Sequence, residues 1–564
     1  MRKLFFVLSI FSILYVNDSV SFASNKDFSG SIYGKGDSRK LKKRKMRKQF
    51  NKGIEFFYQH EYDKSLALFK KMQIKDPERP SLNFFIAVNM MNLNMPKSSI
   101  RPFLENAVRL TVPNYMENYE ENRAPAFAYY YLSQIYLSQN LFDEALNNAL
   151  LFRSYIPMSN VRLLDEVNQH IKSCNVAKVL FNNSDKNISL SPLSLLNTTY
   201  TDFGAQFSSD GNQMYFTSRR NPNEKAKNKD MDGQFKSDIY FVTKEGDSWS
   251  KPTKLNIACK DEANDNFCCL SADGNFLFFS SDREQEQYDI YYCLKMVDNT
   301  WSEPRRLGDN INSYSSNETY AWLSQNWQTL FVVSDKKGGF GGRDIYFSKK
   351  KADEDWQPME NMGSVINTEF DEKSPFVSED GKKLFFSSRG HLTSGGFDIF
   401  YSENADTSWT EPANIGAPIN TTADDHYFVL SPDEKFAIYS SAKKGMGSVQ
   451  DIIKINGFSS DLINKSLLSN LKFEDGVPNR KYLMAKDDKI KYTVQVGAGV
   501  KMQISSFNVL YGVKVCTGKD GLKRFIIGEF DNKEDAARMK EEIIQLGFID
   551  AWTPIIDENR YHCE

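Results

Sequence analysis

The chain has 564 residues, with 71 Lys and Arg against 73 Asp and Glu and a formal net charge of −2. This length suggests roughly three or four domains, and the balanced charge argues against nucleic acid as a partner. Aromatic residues make up 13% of the chain, which suits a β-rich protein.

Residues 1–23 have the form of a secretory signal: Arg2-Lys3, the apolar run Leu4 to Val16, and the small-x-small triplet Ser21-Phe22-Ala23. The run is short for a bilayer span, no Cys follows the cleavage site, and no later stretch is long and apolar enough to cross a membrane. An exported, periplasmic location is expected. Residues 24–48 form a basic segment that contains Arg39 to Lys48. It fits either adhesion to an anionic surface or the solvated face of an entering helix.

From residue 49 to 174 the apolar period is helical. Gly53, Phe57, Tyr62, Ser65-Leu66, Phe69 and Asp76-Pro77 make one helix pair; Ala124 to Leu132 with Phe142, Ala145-Leu146 and Pro157 make another. These signatures resemble tetratricopeptide repeats. Leu82 to Leu110 reads as a degenerate pair, with an insertion at Asn114 to Asn122, and Val161 to Cys174 as a last helix. The resemblance implies a solenoid that docks envelope proteins in its groove; a helical cap without a ligand fits equally.

Residues 175–456 repeat three cues in one order. Ser-x-Asp-Gly turns flanked by apolar alternation read as hairpins. Asp-Ile-Tyr/Phe/Ile follows at Asp238, Asp289, Asp344, Asp398 and Asp451, spaced by 51, 55, 54 and 53 residues. Trp-x-x-Pro follows at Trp249, Trp301 and Trp409, one residue short at Trp356. Four short strands per unit at this period indicate a β-propeller, and the cues resemble TolB-type, WD40-like propeller repeats of bacterial envelope proteins. Ala177 to Phe181 and Ser189 to Leu195 read as two further strands that close the fifth blade or belong to a sixth. An Asp in every copy points to a structural role, bonding backbone amides of a turn.

Residues 457–490 read as a linker with one short helix between Ser459 and Leu471. In 491–564, Tyr492-Thr-Val-Gln-Val-Gly497, Leu510 to Val515, Gly521 to Phe530, a helix from Asp531 to Leu546 and a strand from Phe548 to Trp552 resemble a SPOR (sporulation-related repeat) domain. The resemblance implies a small α+β sheet that binds peptidoglycan glycan strands. Strand alternation then puts Thr493 and Gln495, with Arg524 and Ile526, on the open face. Val494, Val496, Phe525 and Ile527 turn inward.

No metal site, phosphate loop or Gly-x-Ser-x-Gly is present; Gly338 to Gly342 is a blade loop. No cofactor is expected. Disulfides are permitted in an exported chain, and Cys516 with Cys563 is the favoured pair. Adjacent Cys268 and Cys269 alternate faces, so only one is expected in the core. The whole reads as a multidomain, non-enzymatic scaffold of helical repeats, a five- or six-bladed propeller and a SPOR domain. Architectures that resemble it occur in proteins of secretion and gliding machinery. The alternatives are a propeller hydrolase or lyase using His391, His426 and Asp425, and a receptor whose propeller binds a small ligand or peptide.

Overall fold

Apolar residues three and four apart build the N-terminal helices. The computed structural model describes residues 38–456, except 158–159, 222–228, 231, 247, 258–262, 285–286, 352–354, 406–407 and 443–448. It also describes parts of 457–478 and, within 491–563, the strands of a terminal sheet and four helical residues. The signal-like residues 1–23 and most of the basic segment lie outside the described residues; Arg39 to Lys48 falls within the first helix.

Three helix hairpins stack in sequence: α1 (Ser38–Tyr58) with α2 (Tyr62–Gln73), α3 (Pro80–Asn92) with α4 (Lys97–Ala107), and α5 (Phe127–Ser138) with α6 (Phe142–Arg153). A seventh helix, α7 (Val161–Asn182), packs on α6. Gly53 is required by packing. A Cβ there would stand 2.8 Å from the Phe69 ring, which itself stacks on Phe85 at 5.1 Å. The insertion after α4 is tied down where Thr111–Val112 pairs in parallel with Ala124–Pro125 and where Arg79 donates to the carbonyls of Tyr119 and Glu121.

Helix α7 overrides one expectation. Ala177 to Phe181 is not a strand, because Ile171, Cys174, Ala177 and Leu180 continue one buried helical stripe. A five-residue apolar run carries no period of its own, and here the preceding helix decides it.

The central region is a ring of five antiparallel sheets, four of them four-stranded; in the first, Ser248–Trp249 and Thr253–Lys254 both pair with the third strand, Asp238–Glu245, and make five. The first strands are Asp202–Phe207, Asp265–Leu270, Glu318–Leu323, Glu372–Val377 and Asp425–Leu430. They pack against one another in sequence and the last meets the first, so they surround the axis. The second strands, such as Phe276–Ser281 and Lys383–Ser388, are buried from their second residue on. The third strands begin at the repeated Asp in four blades and one residue before it in the last. The fourth strands have two residues each, except in the last blade. There Ser189–Pro192, from before the first blade, pairs antiparallel with Gln450–Asn456. The N-terminal strand therefore closes the fifth blade, and no sixth forms among the described residues.

The turns follow the expected chemistry. Ser208 Oγ donates to Asp210, which accepts the Asn212 N–H, and Ser271-Asp273, Ser378-Asp380 and Ser431-Asp433 repeat the pattern. The next turn position is left-handed in every blade. Gly takes it at 211, 274 and 381, but Trp327 (φ 62°) and Glu434 (φ 52°) adopt it with side chains.

Every inner strand carries a register shift near its centre. In the second blade the shift skips Cys268, and Cys268 and Cys269 are both buried. The expectation that only one is core fails because an inner propeller strand has neighbouring blades on both faces. Cys174, Cys268, Cys269 and Cys293 are free thiols; Cys259 lies outside the described residues.

After the ring, the linker helix shortens to a single turn, Ser460–Leu462. Leu467, Leu468 and Leu471 then pack with Val176 and Leu180 of α7 and Ala417 of the ring. The terminal sheet has the order Ile555–Ile556, Lys491–Gly499, Lys523–Phe530, Val513–Gly518, Tyr561–Cys563, all antiparallel. Ala537, Met539, Lys540 and Ile543 are helical. The expected last strand, Phe548 to Trp552, lies outside the described residues. Cys516 is disulfide-bonded, and the register sets it opposite Cys563.

Candidate binding site at the axis of the ring

Two repeated side-chain devices assemble the ring and define its axial mouth. The first is an acid at the start of each inner strand: Asp202, Asp265, Glu318, Glu372 and Asp425, each 0 or 1% exposed. A Thr four residues earlier gives its N–H and hydroxyl to Asp202, Glu372 and Asp425. The serine ending the second strand donates to Asp202, Glu318 and Glu372 at 2.5–2.7 Å. Arg220 and Arg283 pair with Asp202 and Asp265 at 2.9 Å. Burial drives the Glu372 carboxyl up to about 8 and the Asp425 carboxyl well above its ordinary value.

The second device is an Asn that grips the preceding blade. Asn312, Asn367 and Asn420 each accept from the N–H and donate to the C=O of the Ile in Asp-Ile-Tyr/Phe: Ile290, Ile345 and Ile399. Asn197 does the same to Ile452 across the ring closure, at 2.8 and 2.9 Å. Both devices share the pattern Asn-Thr-x-x-x-acid at 197–202, 367–372 and 420–425, with Asn312-Ser313 one residue further from Glu318. The pattern is visible in the sequence, but it spans a loop and the asparagine partners lie in the preceding blade, so its role shows only in the fold.

The Asp-Ile-Tyr acids face the fourth strand. Asp238 pairs with Lys254 at 2.8 Å and Asp289 with Arg306 at 2.7 Å; Asp344 and Asp398 accept from Asn361 and Asn414. Asp344 also accepts the N–H groups of Phe340 and Gly341, and Asp398 that of Ser394. Burial raises the Asp398 carboxyl to about 7. Asp451 stands in register with Ser441.

At the mouth where the inner strands begin, a cavity of about 160 Å³ lies on the axis. All five blades line it. Phe203, Phe267, Tyr320 and Tyr427 form an aromatic collar, with Phe203 and Tyr320 at 5.2 and 5.7 Å from Tyr427. Arg343 and Lys373 supply its charge, and no described lining residue is a carboxylate. Lys373 Nζ sits 4.1 Å from the Phe397 ring centre. Burial, with Arg343 beside it, lowers the Lys373 amine to about 8.

The helical array overhangs the same mouth. Gln169 Nε2 donates to the carbonyls of Arg389, Gly390 and His391 at 2.8–3.3 Å, and the Ser173 and Thr393 hydroxyls meet at 3.0 Å. Lys97, at the start of α4, lies in the field of Asp424.

The candidates for hydrolytic chemistry are dispersed into the framework. Asp425 belongs to the buried-acid series and breaks no repeat. His391 Nε2 meets the Ile366 carbonyl at 2.9 Å. His426 is 5% exposed, and burial holds its imidazole at about 3, neutral at pH 7. None of the three lines the cavity. No group of three or more metal-ligating side chains occurs among the described residues.

In the terminal sheet, Gln495 and Ile526 were expected on an open face and are 6 and 5% exposed. They are register partners. Phe525 and Ile527 of the same strand are equally buried, so both faces of the central pair are covered. The bulge at Val496 also shifts the alternation on which the expectation rested. Arg524 is half-buried, and the Thr493 side chain lies outside the described residues.

No family model matches the chain, and no curated protein matches it. Solved structures with some likeness include TolB from Acinetobacter baumannii (13% identity, 47% of this chain and 56% of that one, TM-score 0.30). A periplasmic gluconolactonase from Pseudomonas aeruginosa (10%, 45% and 88%, 0.28) is another. A third is a β-xylosidase/α-arabinofuranosidase from a compost microbial metagenome (10%, 48% and 95%, 0.33). Scores this low carry no argument, and the propeller rests on its own strand order and closure.

Proposed function

We propose that the protein is an exported, non-enzymatic scaffold of the cell envelope. Its helical hairpins and propeller dock protein partners, and its terminal domain holds peptidoglycan glycan strands. The observation that carries this reading is the junction at the axial mouth. Gln169 clasps three consecutive carbonyls of one blade, and Leu467, Leu468 and Leu471 wedge between α7 and the ring. Two recognition surfaces held at a fixed angle, with a third domain on a following segment, suit assembly of several partners. The acids repeated around the ring are consumed in bonds within their own blade and the loop that leads into it, which favours scaffolding over hydrolysis. The wall-binding part is supported by the SPOR-like motifs and the antiparallel sheet, with Arg524 and Thr493 as the polar contacts.

The test is co-sedimentation of the mature chain with purified sacculi, with and without amidase removal of stem peptides, while soluble sugar is assayed in the supernatant. Binding that rises after stripping, falls in Arg524→Ala and releases no sugar is expected. Absence of binding to either sacculus removes the wall tether. Release of soluble glycan overturns the non-enzymatic reading.

A further inference from the structure

At the axial cavity the blades stop repeating. The first position of each inner strand is a carboxylic acid in every blade, but no two blades carry the same pair of residues after it. The pairs are Phe203-Gly204, Asn266-Phe267, Thr319-Tyr320, Lys373-Ser374 and His426-Tyr427. If these positions served only ring assembly, no physical reason would make them differ in charge, size and polarity.

The backbone at this level is strained. Gly204, Ser374 and Tyr427 occupy equivalent positions with φ of 66°, 45° and 56°. The first blade meets this requirement with glycine; the fourth and fifth keep side chains in a conformation that disfavours them. The Tyr427 ring completes the aromatic collar, and Ser374 Oγ accepts the Tyr427 N–H.

Charge and size narrow the ligand. Arg343 and Lys373 are the charged lining groups, and the lining itself holds no carboxylate; Asp371, outside it, approaches the Arg343 guanidinium at 3.9 Å. The acids nearby also accept backbone N–H groups, Asp371 that of Arg343 and Asp424 that of Phe397. The rest of the wall is largely aromatic. An apolar cavity of about 150 Å³ holds a benzene ring, and guanidinium and ammonium groups are the ordinary partners of a carboxylate.

We propose that the mouth of the ring binds a small organic carboxylate, with the acid on Arg343 and Lys373 and a flat body of about six to ten heavy atoms against the Phe203, Tyr320 and Tyr427 rings. This site is independent of the docking and wall-binding surfaces, and it makes the ring a receptor as well as a scaffold. The carboxylate comes either from a free acid or from the terminus of a chain entering the mouth.

Proton linkage supports the assignment. Lys373 faces Arg343 and Arg389, which disfavour its charge, and Asp371 and Asp424, which favour it; His426 is neutral. A bound anion raises the Lys373 amine, so affinity falls as pH rises through about 8.

The test is titration of the mature chain by calorimetry with benzoate, benzamide and a phenylalanine-terminated tripeptide acid. Benzoate or the tripeptide acid is expected to saturate, benzamide to bind at least tenfold more weakly, and Lys373→Met to lose at least tenfold in affinity. Tighter binding of benzoate identifies a free acid as the source, and tighter binding of the tripeptide identifies a chain terminus. Glu434→Gly, which relieves a left-handed turn position outside the cavity lining and removes no cation from it, serves as the folding-competent comparison and keeps the affinity. Equal binding of benzoate and benzamide, unchanged affinity in Lys373→Met with native melting, or no saturable heat from either acid overturns the proposal.

Discussion

Replacing Asn420 with Ala tests the blade-joining device where it is most buried. Asn420 is 0% exposed. Its Oδ1 accepts from Ile399 N at 2.8 Å, and its Nδ2 donates to Ile399 O at 2.8 Å and to Asn414 Oδ1 at 2.7 Å. Asn414 Oδ1 keeps the Gly416 N–H, so its loss is partial. Ile399 is itself fully buried; its N–H is left without this partner, while its C=O keeps the Ile415 N–H at 3.2 Å. An orphaned buried group costs about 1–3 kcal/mol, so the substitution should destabilise the ring by about 1–3 kcal/mol. Asn197→Ala removes the same two backbone bonds at the closure from a half-buried side chain, and about 1–2 kcal/mol is expected. Asn420→Asp keeps the acceptor but sets a carboxylate beside two carbonyl-type oxygens, so it should be no milder than Ala. Urea unfolding of the three variants, followed by aromatic fluorescence, measures the series. A loss below about 0.5 kcal/mol for Asn420→Ala, the range of an indifferent surface change, would refute the reasoning.

Three further outcomes are expected. Glu434 holds a left-handed turn position that Gly fills in three other blades and is exposed, so Glu434→Gly should be neutral or stabilising by up to about 1 kcal/mol in urea melts. Burial raises the Glu372 carboxyl to about 8, above its unfolded value, so its contribution to stability is greatest at low pH and is lost as pH rises from about 4.5 through 8. Relative to wild type, Glu372→Gln should therefore gain about 2–4 kcal/mol between pH 5 and pH 8; a flat difference would show that the carboxyl does not titrate in this window. Cys516→Ser should lower the stability of the terminal domain by about 2–4 kcal/mol while the ring transition stays in place, as resolved by calorimetry.

The turn and strand cues of the propeller are legible because local chemistry sets them. Ser-x-Asp bonds its own turn, and Asp-Ile-Tyr begins a strand whatever surrounds it. Blade number is less legible, because it depends on a long-range pairing between Ser189–Pro192 and Gln450–Asn456 and on whether Ala177 to Phe181 continues a helix. The buried acids and the gripping asparagines carry a repeating pattern, but the partners of the asparagines belong to the preceding blade, so their role emerges only when blades meet. Cys268 and Gln495 mislead for one shared reason. Alternation predicts which side of a strand a residue faces, not whether that side is covered, and a bulge in each strand shifts the alternation itself.

The most direct test of the ring and its closure is a crosslink at Ser191 and Lys454, register partners on the closing strand and the last blade. With cysteines at both positions, mild oxidation of the folded chain should join them, since opposite residues of paired strands lie within disulfide reach. Peptide mapping should recover the linked pair in high yield, and the oxidised protein should resist urea better than the reduced one. Absence of the crosslink in folded protein would contradict the five-bladed closure. With it would fall the fixed junction between helical array and ring on which the scaffold reading depends.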